Sequence, residues 1–312
     1  MSENSLKERN EIPTNRKNNI LYLIGGSGFV GKNIIKKLYK NYEISVFDQY
    51  IDDIFFKDFK NVTPFKIDLA NDIIPYSLPD PDFIINLASV VTAERDLNLF
   101  DSLINSNLKI LLNLYERFKN SDALKLFIQF GSSEEYGNEG SPFKETMREK
   151  PVSPYALIKQ LTTNTALMLN TNYGFPTCVV RPGNLYGEGQ PKNKFIPYII
   201  EKLQNNETLE VTPCEQKRDF IEIKAFVDIL GKLLVNYKKC IGEIINVSSG
   251  KSVTLKSLIE FYKSEFSSAS DIKYGALPYR EGEAMDLCCD ITKLQSIINT
   301  FDKNLLEKTC LK

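Results

Sequence analysis

The sequence predicts an α/β chain built on a doubly wound parallel sheet, and three observations predict it. Short apolar runs recur with helix-length segments between them, as at Leu21–Ile24, Phe83–Leu87 and Leu124–Phe130. The first run feeds a glycine-rich turn, Gly25-Gly26-Ser27-Gly28-Phe29-Val30-Gly31, that opens a helix. The second run, Glu43–Phe47, ends in an acid, Asp48.

The elements follow in order. Leu21–Ile24 is a strand and Phe29–Tyr39 a helix. Glu43–Phe47 and Val62–Ile67 are strands, the latter followed by Asp68-Leu69. Phe83–Leu87 is a buried strand that runs into Ala88-Ser89. Asn98–Asn120 has helical spacing of apolar residues, and Leu124–Phe130 is again a strand. Ser153–Asn172 reads as a helix, with Ser153 as N-cap and Pro154 in the first turn. Thr177–Val180 is a strand leading into Arg181-Pro182-Gly183-Asn184.

From Gly183 onward the pattern loosens. Phe195–Gln204 is helical, Thr208–Val211 a strand, Ile221–Tyr237 a strand then a helix, and Ile244–Val247 a strand. Thr254 caps a helix over Leu255–Phe266. The expected organisation is a mobile N-terminal extension over residues 1–19, a dinucleotide-binding domain over 20–182 and a smaller mixed lobe over 183–312. Some segments of that lobe are expected to return to the main sheet.

The glycine turn has a chemical purpose. Gly26-Ser27-Gly28-Phe29-Val30-Gly31 satisfies G-x-G-x-x-G, and Gly25, Gly28 and Gly31 stand three apart. Glycine lets the chain turn sharply, lets backbone approach a pyrophosphate and lets helix pack close to strand. The first N–H groups of the helix then face phosphate. Asp48 stands where a Rossmann-type fold uses an acid for the adenosine ribose hydroxyls. Together they point to a bound dinucleotide.

Composition narrows the chemistry. The net charge of −1 gives no electrostatic footprint for nucleic acid or an anionic membrane. No apolar run is long enough to span a bilayer, and residues 1–19 lack the apolar core of a secretion signal. Six cysteines without a C-x-x-C pattern suggest reduced thiols in the cytoplasm. The chain has no histidine, which removes histidine-based triads and the usual histidine-bearing zinc sites, so no metal site is expected. Proton transfer falls to Tyr, Lys, Asp, Glu or Cys.

Tyrosine followed four positions later by lysine puts both side chains on one helix face. The ammonium is expected to favour the phenolate and lower the tyrosine pKa. The spacing occurs at Tyr115/Lys119, Tyr155/Lys159 and Tyr198/Lys202. Context selects the second. Tyr155 starts a helix after Pro151-Val152-Ser153-Pro154, and Ser132 stands 23 positions upstream at the end of a strand. The other two tyrosines read as core or surface helix residues.

Four stretches carry a resemblance: Gly25–Gly31, Gly131-Ser132-Ser133-Glu134-Glu135-Tyr136-Gly137, Pro154-Tyr155-Ala156-Leu157-Ile158-Lys159 and Arg181-Pro182-Gly183-Asn184-Leu185-Tyr186-Gly187. In order and content they resemble the extended short-chain dehydrogenase/reductases, the nucleotide-sugar epimerase/dehydratase group. The resemblance spans about residues 18–300. It implies NAD as cofactor, with Gly25, Gly28, Phe29, Val30 and Gly31 at the phosphates, Asp48 at the ribose, Asp68 and Leu69 beside the adenine, and Ala88 and Asn107 nearby. It implies a catalytic set of Ser132, Tyr155 and Lys159, with Tyr155 and Lys159 also touching the cofactor. Ser133, Asn184, Arg218 and Arg280 would hold a nucleotide-diphosphate sugar. Arginine suits a diphosphate because its planar fork offers paired donors.

The reaction stays open between several members of the group. Oxidation at C4, as a 4-dehydrogenase or 4-epimerase, is favoured by Asp48, which would repel the 2′-phosphate of NADP. Reduction of a 4-keto-6-deoxy sugar is the alternative, and 4,6-dehydration a second. Ser132-Ser133-Glu134 resembles the Thr-Ser-Glu of GDP-mannose 4,6-dehydratase, which makes Glu134 a catalytic candidate, but a similar stretch also occurs in GDP-4-keto-6-deoxymannose reductases. That stretch gives a slight preference for GDP. A non-catalytic relative, sensing cofactor or binding RNA, is the remaining alternative; Tyr155, Lys159 and the absence of a basic patch argue against it. Relatives pair through two helices, which implies a homodimer, and the family suggests polysaccharide biosynthesis.

Overall fold

The structure is a computed structural model and describes residues 19–92, 94–138 and 140–298. The N-terminal extension expected over residues 1–19 lies outside the described residues, except for Asn19, which opens the first strand. So does the end of the expected C-terminal lobe.

The strands in chain order are β1 (Asn19–Ile24), β2 (Tyr42–Asp48), β3 (Val62–Lys66), β4 (Phe83–Asn86), β5 (Leu126–Phe130), β6 (Thr177–Pro182), β7 (Asn184–Tyr186), β8 (Leu209–Val211), β9 (Lys217–Glu222), β10 (Ile244–Val247), β11 (Ser252–Thr254), β12 (Ile272–Tyr274) and β13 (Asp286–Leu287). Seven of them form one parallel sheet in the order β10-β6-β5-β4-β1-β2-β3. The chain builds outward from β1 to β3, then restarts on the other side of β1 with β4. The strand order reverses there, and the crevice at the carboxyl ends beside that point is where such sheets bind ligand.

Alternate residues of each central strand feed opposite cores. Leu21 and Leu23 of β1 join a core with Ile34, Phe226 and Leu230. Ile20, Tyr22 and Ile24 join another with Leu111, Phe118 and Leu169. Both faces are covered, which is why these strands read as continuous apolar runs. The Pro154–Tyr173 helix buries Tyr155, Ile158, Lys159, Thr162, Ala166 and Leu169 on one face, the spacing of a helix seated on a sheet. Ser153 caps it as expected, accepting from the Ala156 N–H at 3.1 Å.

The later part of the chain makes β10 in the main sheet and two small sheets, β11-β9-β13 with β7 on β9, and β12-β8. Ile196, Ile199, Leu209, Val211, Leu258 and Ile259 form a separate core there.

One element differs from expectation. The helix expected over 98–120 is a helical run interrupted at Asn105–Lys109, which forms a π turn between Phe100–Ile104 and Ile110–Phe118. The Asn107 amide is fully buried there and donates to the Leu103 carbonyl at 2.9 Å. Such turns interrupt helices most often at functional sites.

Candidate active site

A cleft of about 1790 Å³ opens at the carboxyl ends of the central strands, between the main sheet and the smaller core. Gly25, Gly28, Phe29, Val30, Gly31, Asp48, Asp68, Leu69, Ala88, Ser132, Ser133, Glu134, Tyr155, Lys159, Asn184, Arg218 and Arg280 all line it. Residues spread over most of the described chain thus converge on one cavity. Asn107 is the exception: its neighbours Asn105 and Ser106 reach the wall, while Asn107 faces into the protein.

The glycine turn fits a dinucleotide. Gly25 has φ +72°, and a Cβ there would come within 2.8 Å of the Ala88 nitrogen. A Cβ on Gly31 would meet the Gly26 carbonyl oxygen at 2.3 Å. At Gly28 a Cβ would meet nothing nearer than 3.9 Å, so this glycine leaves room on the cleft side rather than within the protein. The Ser27 hydroxyl is buried with no hydrogen-bond partner among the described residues. The Asp48 carboxylate accepts from the Ser27 N–H at 2.9 Å and the Tyr50 N–H at 3.1 Å, which fixes it at the edge of the turn. Asp68 accepts from Gln49, Asn71 and the Ala70 N–H, and the Gln49 bond leads in holding its pKa low.

On the facing wall, the Pro154–Tyr173 helix presents Tyr155 and Lys159 one turn apart. Tyr155 is 6% exposed and Lys159 2%. The Lys159 ammonium donates to the Phe130 carbonyl at the end of β5, at 3.0 Å. Burial pushes its pKa down to about 8. Ser132 caps the short turn Ser133–Tyr136 and makes a side-chain hydrogen bond with Tyr155.

The phenol departs from expectation. Its pKa is raised, first by burial and then by the Glu134 carboxylate, while Ser132 opposes the shift. The Lys159 ammonium lies 5.8 Å from the centre of the phenol ring and is turned to the Phe130 carbonyl. Desolvation is therefore the leading influence on Tyr155, and it favours the neutral phenol over the phenolate.

Across the cleft stand charges of both signs. Glu134 is exposed to the open cleft. Desolvation by the surrounding walls raises its pKa, while Arg218, Arg280 and Arg95 pull it down. Arg218 pairs with Glu283 and donates to the Ala284 carbonyl at 2.7 Å. Arg95 donates to the Gly282 carbonyl at 3.3 Å, which also accepts from Asn138 at 2.9 Å. The cleft can therefore gather three guanidinium groups around an anion.

Sequence reasoning missed some of these residues. Arg95 lies on the loop after β4, where no pattern marks it. Tyr198 is the exposed helix residue that the sequence suggests, and from one turn into the Phe195–Gln204 helix it also lines the cleft. Glu135 and Arg181 were visible inside the quoted stretches, but nothing there showed that they form a fully buried pair, with Arg181 Nη2 2.6 Å and Nε 3.0 Å from Glu135 Oε2.

Residues 21–248 match the family described as NAD dependent epimerase/dehydratase. A GDP-6-deoxy-D-talose 4-dehydrogenase of Aggregatibacter actinomycetemcomitans is 25% identical, over 89% of this chain and 90% of the relative. A dTDP-4-dehydro-6-deoxyglucose reductase of Escherichia coli is 26% identical over 78% and 81%. Among solved structures, a UDP-N-acetylglucosamine 4-epimerase from Methanobrevibacter ruminantium in complex with UDP-N-acetylmuramic acid superposes with a TM-score of 0.81. It is 26% identical, over 94% of this chain and 97% of that one.

Proposed function

The chain belongs to the NAD dependent epimerase/dehydratase family, and we propose that it oxidises C4 of a nucleotide-diphosphate sugar, as a 4-dehydrogenase or 4-epimerase. One observation carries this: the Tyr155, Lys159 and Ser132 side chains share a single cleft with the glycine turn and Asp48. A nicotinamide held there supplies the hydride acceptor.

The side chains around it do the rest. Ser132 donates its hydroxyl to the C4 oxygen and orients it. Tyr155 exchanges the proton of that oxygen, and Lys159 keeps positive charge behind the phenol. Arg218 and Arg280 offer planar forks to the diphosphate, with Asn184 and Ser133 beside them. Asp48 suits the free ribose hydroxyls of NAD, because a carboxylate repels a 2′-phosphate.

Reduction of a 4-keto sugar is the alternative reading. Burial and then Glu134 raise the Tyr155 pKa, and the neutral phenol is the form that gives a proton to a ketone oxygen. The two directions separate in one assay. NAD-loaded protein mixed with UDP-, GDP-, CDP- and dTDP-hexoses develops the near-ultraviolet absorbance of reduced nicotinamide if oxidation is right, lastingly for a 4-dehydrogenase and transiently for a 4-epimerase, which returns the hydride. If these sugars leave the cofactor unchanged while a 4-keto sugar consumes added reduced cofactor, reduction is right. The Gly131–Gly137 stretch favours GDP among the nucleotides.

We also propose a cytoplasmic homodimer. Ile104 and Leu112 on one helical run, and Leu157, Leu161 and Met168 on the adjacent Pro154–Tyr173 helix, are exposed apolar side chains, the kind of surface a partner covers. The five cysteines among the described residues are free and buried, which suits a reducing compartment. Sedimentation that finds only monomers at micromolar concentration, with Leu161→Glu unchanged, rejects the dimer.

A further inference from the structure

Glu135 is buried without exposure to the cleft, yet it touches the catalytic strand end on two sides. Its Oε1 accepts from the Ser132 N–H at 2.7 Å and closes a capping box in which Ser132 in turn receives the Glu134 N–H at 3.2 Å. The same oxygen would lie 2.5 Å from a Cβ at Gly131. The carboxylate thus rests on the residue between Phe130, whose carbonyl holds the Lys159 ammonium, and Ser132. On its other side, Oε2 receives a fork of two bonds from Arg181. Arg181 is itself fully buried, braced against Glu149 at 2.6 Å and over the Tyr136 ring at 4.5 Å.

Taking the reading above as its premise, we infer that Glu135 is a positioning residue for the proton transfer: it fixes the Ser132 backbone and sets its carboxyl group behind Lys159. Burial raises the Glu135 pKa, and the Arg181 guanidinium leads the contacts that oppose that shift and hold the side chain in place. A buried carboxylate costs folding energy unless it is paired, and a pair built only for packing need not sit on the peptide that joins the two catalytic anchors.

Glu135 is the charged side chain that acts on Lys159. The elements near it also carry Glu134 and Tyr136 on the Ser133–Tyr136 turn, Arg181 on β6, and Tyr155, whose ring centre lies 5.8 Å from the ammonium. Asp101 and Lys109 on the helical run beneath are exposed. β5 offers no charged side chain. Glu135 acts on the ammonium in the direction that keeps its proton, against the burial that removes it.

The test reads Lys159 directly, so it stands apart from any sugar assay. Protein carrying carbon-13 at the lysine ε positions is titrated by NMR, with the Lys159 signal assigned by its loss in Lys159→Arg. The expected midpoint in the parent protein is about 8. In Glu135→Gln it falls by about one pH unit, and the alkaline limb of kcat/KM moves with it. kcat drops about tenfold with KM for the sugar nucleotide unchanged. Glu135→Asp, which keeps the charge but draws it back, gives a smaller shift of the same sign and serves if the glutamine variant does not fold. A Lys159 midpoint that stays in place in a folded Glu135 variant overturns the inference. Absence of turnover in the parent protein would overturn the functional reading alone.

Discussion

Lys159 holds a charge in a place that penalises it. Burial lowers its pKa to about 8 from an ordinary 10.5. Between those values the unfolded chain binds more protons than the folded one, so this group's contribution to stability rises with pH across that window. Below about 8 the burial penalty is present in full. Lys159→Met is therefore expected to raise stability at neutral pH by about 1–2 kcal/mol, the penalty less the lost bond to Phe130, and to abolish turnover. A thermal melt that shows destabilisation instead contradicts this. At the same scale, Asp48→Asn should weaken NAD about tenfold or more, since an ionic acceptor is lost, and should narrow the preference over NADP; calorimetric titration with both cofactors measures it. Tyr155 and Lys159 were legible because helical spacing needs only one segment. The raised phenol pKa was not, because it depends first on burial among distant elements and then on Glu134.

At the level of the element, the glycine turn separates folding from binding. A methyl at Gly31 collides with the Gly26 backbone, whereas one at Gly28 meets open space. Gly31→Ala should cost about 1–3 kcal/mol or more, because backbone rather than a flexible side chain must move. Gly28→Ala should melt like the parent protein and bind NAD more weakly, since the methyl stands where the pyrophosphate would approach. Parallel melts and NAD titrations check both; equal losses of stability would contradict the assignment. The turn was readable from sequence because strand, glycines and helix follow within one short stretch. The π turn at Asn105–Lys109 was not, because its apolar spacing differs little from that of an ordinary helix.

For the whole molecule, the main sheet could be anticipated because strands buried on both faces leave continuous apolar runs. Of the smaller sheets only β8 was legible, as the strand read over Thr208–Val211. β7, β11 and β12 have three residues and β13 two, too few for a pattern. The meeting of Arg95 with Gly282 joins loops 187 positions apart, which no local rule foresees. This cleft makes a further prediction. A nucleoside diphosphate that binds the folded chain in the presence of NAD should raise its thermal midpoint, the free-energy gain being about 2.7 kcal/mol at a hundredfold excess over Kd. GDP is expected to exceed UDP, CDP and dTDP, and an equal response to all four would remove the preference for guanine.

The proton exchange at Tyr155 is tested most directly by single-turnover absorbance. NAD-loaded parent protein and Tyr155→Phe are mixed with the same panel of nucleotide-diphosphate hexoses. The parent protein should form reduced nicotinamide with at least one sugar. The phenylalanine variant, binding cofactor equally well, should do so about 10²–10⁴ times more slowly. Equal rates in the two proteins would contradict the role given to this phenol.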